Sequence, residues 1–128
     1  MNKELNMFVD ACLEEYKYHQ QGDSKNGNKQ GKIIISLFIL LNKENRLDEL
    51  LELLEHEHPQ VRFRAAEQLL KFSPSRAEKT LEELSKLKGP QFGGIGFVSQ
   101  ITLQEWRKGN LKIPTEETLK RIEKLEIE

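Results

Sequence analysis

The chain has 128 residues, one cysteine and a net charge of −1, with 37% apolar and 32% charged residues. That balance argues against a disordered chain, a disulfide framework and a globally basic nucleic-acid binder. It leaves a packed core under a heavily charged surface, at a length that fits one domain.

Acids at Glu4, Asp10, Glu14 and Glu15 are incompatible with a secretory apolar region, so no signal peptide is expected. The longest apolar run, 33–41, is nine residues broken by Ser36. A membrane span needs roughly 20. The expected compartment is the reducing cytoplasm, with Cys12 as a buried structural thiol.

In chain order, the first predicted helix covers residues 3–19, where Leu5, Phe8, Val9, Cys12, Leu13 and Tyr16 recur at spacings of three and four. Residues 20–32 carry three glycines and an Asn-Gly step with no large apolar residue, and read as a long loop. The second helix is placed from about 28 to 42. A leucine-rich acidic helix follows, with Leu47, Leu50, Leu51 and Leu54 on one face. Pro59 opens the next helix, which turns Val61, Ala65, Ala66, Leu69 and Leu70 inward. Ser73 and Pro74 start another, carrying Ala77, Leu81, Leu84 and Leu87. Gly93-Gly-Ile-Gly introduces a helix whose inner side is read as Ile95, Val98, Ile101 or Thr102, and Trp106; Gly109 stops it. Thr115 caps the last helix, with Glu116 and Glu117 at its positive dipole end and Leu119, Ile122 and Leu125 at docking spacing. Seven helices result, and no strand.

Residues 46–72 pair the acidic helix with a second helix across the short connection Glu57-His58-Pro59. The second helix reads His58-Pro59-x-Val61-Arg62-x-x-Ala65-Ala66-x-x-Leu69. This resembles a HEAT repeat. In such a repeat Pro59 would start the helix, Arg62 would span to a neighbouring unit, and the two alanines would allow close helix approach. Residues 75–108 look like a degenerate pair and 3–42 like a first pair with the long connection 20–32, with 115–127 as a capping helix. The chain is similar to small bacterial HEAT-like domains of unassigned function. The resemblance implies a single all-α domain, an α-α superhelix of antiparallel helix pairs whose concave face or edges bind partners.

No residues assemble into a catalytic constellation, so no enzyme and no cofactor is expected. His56 and His58 lie two apart and point away from each other, which argues against a metal site. Gly93-Gly-Ile-Gly lacks a preceding strand and a following Lys-Ser or Lys-Thr, so close packing or a flexible loop is expected of it. Arg62 and Trp106 are assigned to the scaffold. Arg64 is freer.

The sharpest charge feature is 44–57, where six acids, Glu44, Asp48, Glu49, Glu52, Glu55 and Glu57, face Arg46 alone, a local charge of −5. Asp48, Glu49, Glu52, Glu55 and Glu57 are therefore the candidate contact residues for one basic protein partner. The function these features imply is a binding module, most concretely an immunity or antitoxin protein that blocks a cognate toxin such as a nuclease. The alternative is a cytosolic adaptor or regulatory subunit. Nucleic-acid binding through Lys25, Lys29, Lys32, Arg62, Arg64, Lys71 and Arg76 ranks third, because the net charge is near zero.

Overall fold

The computed structural model describes the backbone of residues 2–127 and the side chains through Lys124. The fold is all-α: six α-helices and one long 3₁₀ helix make up the seven helices expected, a three-residue 3₁₀ turn at Pro90–Phe92 lies between the fourth and fifth α-helices, and no strand occurs among the described residues. The chain forms two compact units, one from residues 1–47 with 113–128 and the other from 48–112.

The first unit is built on α1 (Lys3–Gln20) and α2 (Ser24–Lys43). Their connection is three residues long, which overturns the loop expected over 20–32. Gly22, at φ 74°, ends α1: its N–H donates to the carbonyl of His19, and the N–H of Asp23 donates to that of Tyr18. This is a Schellman stop. Asp23 then caps α2, its Oδ1 accepting from the Asn26 N–H at 3.1 Å and its Oδ2 from the Asn26 side-chain amide at 2.8 Å. These hydrogen bonds hold the Asp23 carboxyl below its ordinary pKa.

The glycines inside α2 are packing residues. Gly27 and Gly31 are buried and fall in register with buried Ile34, Phe38 and Leu41 at spacings of four and three. A Cβ on Gly27 would collide with the His19 ring. The missing Cβ of Gly27 therefore leaves room for the His19 ring between the end of α1 and the start of α2. The stripe facing the α1 core of Leu5, Phe8, Ala11 and Cys12 is completed by glycine rather than by a large apolar residue.

Asn45, at φ 60°, closes α2 with a second Schellman arrangement: its own N–H donates to Asn42 and that of Arg46 to Leu41. Arg46 folds back to Glu4 at 2.9 Å and Glu44 at 2.7 Å. Helix α6 (Glu116–Ile127) packs on α2, with ion pairs Lys43–Glu116 at 3.3 Å and Lys32–Glu123 at 3.6 Å. Thr115 caps α6 through its Oγ1, which accepts from the Thr118 N–H. The side chain of Leu125 lies outside the described residues.

The second unit contains the 3₁₀ helix Leu47–Glu55, entered from the first unit at Leu47, then α3 (Pro59–Leu69), α4 (Pro74–Leu84) and α5 (Ile95–Arg107). The first member of the expected 46–72 pair is thus a 3₁₀ helix rather than an α-helix. Its leucines permit the tighter winding, since Leu47, Leu50 and Leu53 are all buried and recur every three residues. Helix α3 is the centre of this unit, with Gln60, Val61, Phe63, Ala65, Ala66, Gln68 and Leu69 buried and contacts to both α4 and α5. Pro59 occupies its first turn as expected. Ser73 precedes α4, but its side chain makes no capping hydrogen bond; its carbonyl accepts from Ala77 instead.

Ala65 and Ala66 have no exposed surface. Replacing Ala66 by Leu would drive three extra carbons into this packed helix interface, a cost of ~1–3 kcal/mol. A chemical denaturation series should show the loss. Unchanged midpoints for both Ala65→Leu and Ala66→Leu would remove the pair from any tight interface.

Candidate functional site

Winding at three residues per turn rearranges the acidic patch. On an α-helix Asp48, Glu52 and Glu55 would share a face. On the 3₁₀ helix the row is Glu49, Glu52 and Glu55, and Asp48 belongs to the next row. Asp48, Glu52, Glu55 and Glu57 are exposed, whereas Glu49 is half-buried and has a partner. The patch is therefore presented to solvent, with Glu49 partly withdrawn from it.

Helix α5 departs most from its sequence reading. Its buried residues are Ile95, Gly96, Ser99, Thr102 and Leu103. Val98 and Ile101, expected inside, are 42% and 41% exposed, and Phe97 is 68% exposed. The helix turns two hydroxyls inward and three large apolar side chains outward. Gly96 fixes this rotation: a Cβ there would overlap the backbone carbonyl of Leu87 and approach that of Leu84 at 3.6 Å. Only a glycine can face that chain, so the opposite face, with Phe97, Val98 and Ile101, faces water. The Thr102 hydroxyl is satisfied by the Val98 carbonyl at 2.8 Å, while the Ser99 hydroxyl is buried without a partner. An outward apolar cluster on an otherwise charged chain is the kind of surface that protein partners cover.

Trp106 is half-buried. Its indole N–H donates to Glu78 on α4 at 3.3 Å, and Arg107 beside it pairs with Glu78 and Glu82. Gly109, at φ 78°, terminates α5: its N–H donates to Trp106 and that of Asn110 to Glu105. Cys12 is fully buried, as expected.

His56 and His58 serve the start of α3. The His58 N–H donates to His56 Nδ1 at 3.0 Å, and the Gln60 N–H donates to His58 Nδ1 at 3.1 Å, which caps α3. Among the described residues no three His, Cys, Asp or Glu side chains gather as a metal site would require. Burial and the neighbouring His56 hold His58 below its ordinary pKa of 6.5, with Glu57 opposing. Protonation converts Nδ1 from acceptor to donor and removes the cap. The stability this cap contributes is complete above the unfolded-state pKa and is lost as pH falls through the lowered folded value. Lowering the pH below 6.5 should therefore reduce the melting midpoint in wild type, and His58→Asn should retain the cap and flatten that dependence. Equal pH slopes for the two proteins would detach the effect from His58.

The basic residues divide between the two units. Lys25, Lys29 and Lys32 lie on α2 of the first unit, and Lys32 is paired with Glu123. Arg62, Arg64, Lys71 and Arg76 belong to the second unit, where Arg64 pairs with Glu67. Arg62, expected to reach an acid or a carbonyl of a neighbouring repeat, instead has its Nε buried without a partner. The first unit carries an apolar groove of about 550 Å³ lined by Met7, Ile33, Leu37, Ser36, Lys29 and Lys32, where Met7 and Ile33 are exposed. Among the described residues no helix is long and apolar enough to cross a membrane. No family model, no curated protein and no solved structure matches the chain.

Proposed function

We propose that the chain is a protein-binding module without catalytic activity, and most concretely an immunity or antitoxin protein that binds and blocks one toxin in the cytoplasm. The observation that carries the binding reading is the outward face of α5, where Phe97, Val98 and Ile101 stand in water although Ser99 and Thr102 of the same helix are buried. Exposing those three side chains is unfavourable for the isolated chain, and a partner that covers them recovers roughly 25 cal/mol per Å² of apolar surface. The acidic row adds the sign of the partner. A nuclease-type toxin presents basic surface to its substrate, and exposed Asp48, Glu52 and Glu55 offer it a competing field. The HEAT-like reading of 59–69 belongs to the same proposal: a buried Val61-Arg62-x-x-Ala65-Ala66-x-x-Leu69 helix supplies a rigid scaffold behind these surfaces.

A second reading, an adaptor or regulatory subunit, is favoured by the separate apolar groove around Met7 and Ile33, because an adaptor needs two contact surfaces. The discriminating experiment is coexpression with the product of the adjacent gene in the source genome. The inhibitor reading expects a stoichiometric complex and loss of that product's toxicity. A non-toxic neighbour, or a toxic one whose action the chain does not relieve, rejects it.

Within the inhibitor reading, the charges govern encounter. Combined Asp48→Lys, Glu52→Lys and Glu55→Lys should slow association about tenfold or more at low salt, with the difference shrinking as the Debye length falls toward ~8 Å. Exposed positions accept lysine without loss of the fold. Unchanged association kinetics in a folded triple variant would reduce the row to a solvated face.

A further inference from the structure

Helix α4 presents Arg76, Lys79, Thr80 and Glu83 along one face, at helical spacings of three and four. Together with Arg62 of α3 and with Leu54 and Glu55 of the 3₁₀ helix they line a pocket of about 210 Å³ within the second unit. Two carboxylates share this pocket with three cations. Ion pairs are chemically available, yet among the described residues none forms between Arg62, Arg76 or Lys79 and Glu55 or Glu83. Arg62 Nε is buried and has no acceptor. Leaving a buried guanidinium N–H unsatisfied is costly, and such groups mark places where an acceptor belongs.

We propose that this pocket binds a small oxyanion of the phosphate or carboxylate type. The missing partner of Arg62 is an acceptor, and the guanidinium edge matches two oxygens of a phosphate or carboxylate better than any other small group. Three cations against two carboxylates leave one positive charge, which suits a ligand with a single net negative charge or slightly more. The volume sets the size. It holds several waters at about 30 Å³ each, and lies below the roughly 300–1,000 Å³ of sites for drug-sized molecules. A free ion or the terminal group of a small metabolite fits, and a nucleotide does not. This site is separate from the outward face of α5, and its existence does not depend on the partner reading.

The test is a titration of the whole chain with inorganic phosphate, acetate or chloride at constant ionic strength, followed by ¹⁵N–¹H NMR of the arginine Nε–H and backbone amide signals. A saturable shift of the Arg62 Nε–H and the Thr80 amide with phosphate or acetate is expected, with chloride silent, and the oxyanion that acts identifies the class. Arg76→Gln and Lys79→Gln alter exposed residues and keep the fold, and each should weaken binding about tenfold or more. Absence of a saturable shift with both oxyanions overturns the proposal, as does an equal response to chloride. So does unchanged affinity in both variants, because the site would then not use the cations that define it.

Discussion

Gly96→Ala should lower the melting midpoint by more than about 10 °C. In an exposed helix interior the same change stabilises by roughly 0.5–1 kcal/mol, because alanine loses less backbone entropy on folding. Here the sign reverses. The new Cβ would overlap the Leu87 carbonyl, with the Leu84 carbonyl at 3.6 Å, and a backbone oxygen cannot rotate away as a side chain can. Helix α5 must back off α4, at a cost of about 2–3 kcal/mol. For a unit of this size each kcal/mol is worth about 4–8 °C. Gly94→Ala is the control. It lies one turn edge away, its nearest neighbour to a new Cβ is Val98 Cγ2 at 3.9 Å, and its φ of −98° suits any residue. A midpoint for Gly96→Ala within about 2 °C of the Gly94→Ala value would mean that α5 is not held against the end of α4 as described.

The second large effect concerns Phe97. Under the binding reading, Phe97→Asp should leave the melting midpoint near wild type, because the side chain is 68% exposed and touches little. Affinity for the partner should fall by about thirtyfold or more. That is the ~2 kcal/mol expected when a central aromatic anchor is lost, and a carboxylate additionally has to be desolvated there. The loss should appear mainly in the dissociation rate, whereas the charge reversals on the 3₁₀ helix act on the association rate. The two surfaces are therefore separable in one kinetic experiment. A Phe97→Asp chain that is folded and dissociates from its partner at the wild-type rate would take α5 out of the interface.

Much of this architecture is legible in the residue pattern. Spacings of three and four among Leu5, Phe8 and Cys12, and among Ile34, Phe38 and Leu41, require helices that bury those faces. The position of Pro59, the stop at Gly109 and the burial of Ala65 and Ala66 follow from local chemistry alone. The start of α2 was also written there, in Gly27 and Gly31 falling on the stripe of Ile34. Composition hides it, because a glycine that packs and a glycine that bends the chain are the same residue until a neighbouring helix is in place.

The candidate surfaces required the tertiary structure. Periodicity states that α5 has two faces but not which one is inward, since Ile95, Val98 and Ile101 form as regular a stripe as Ile95, Ser99 and Thr102. The carbonyl of Leu87 decides between them, by admitting only Gly96. The winding of 47–55 is decided in the same way: its leucines satisfy both a 3.6-residue and a 3.0-residue repeat, and packing of Leu47, Leu50 and Leu53 selects the second. Hydrophobic spacing is a property of one segment. Rotation and winding are set by the backbone that the segment meets, and that backbone comes from elsewhere in the chain.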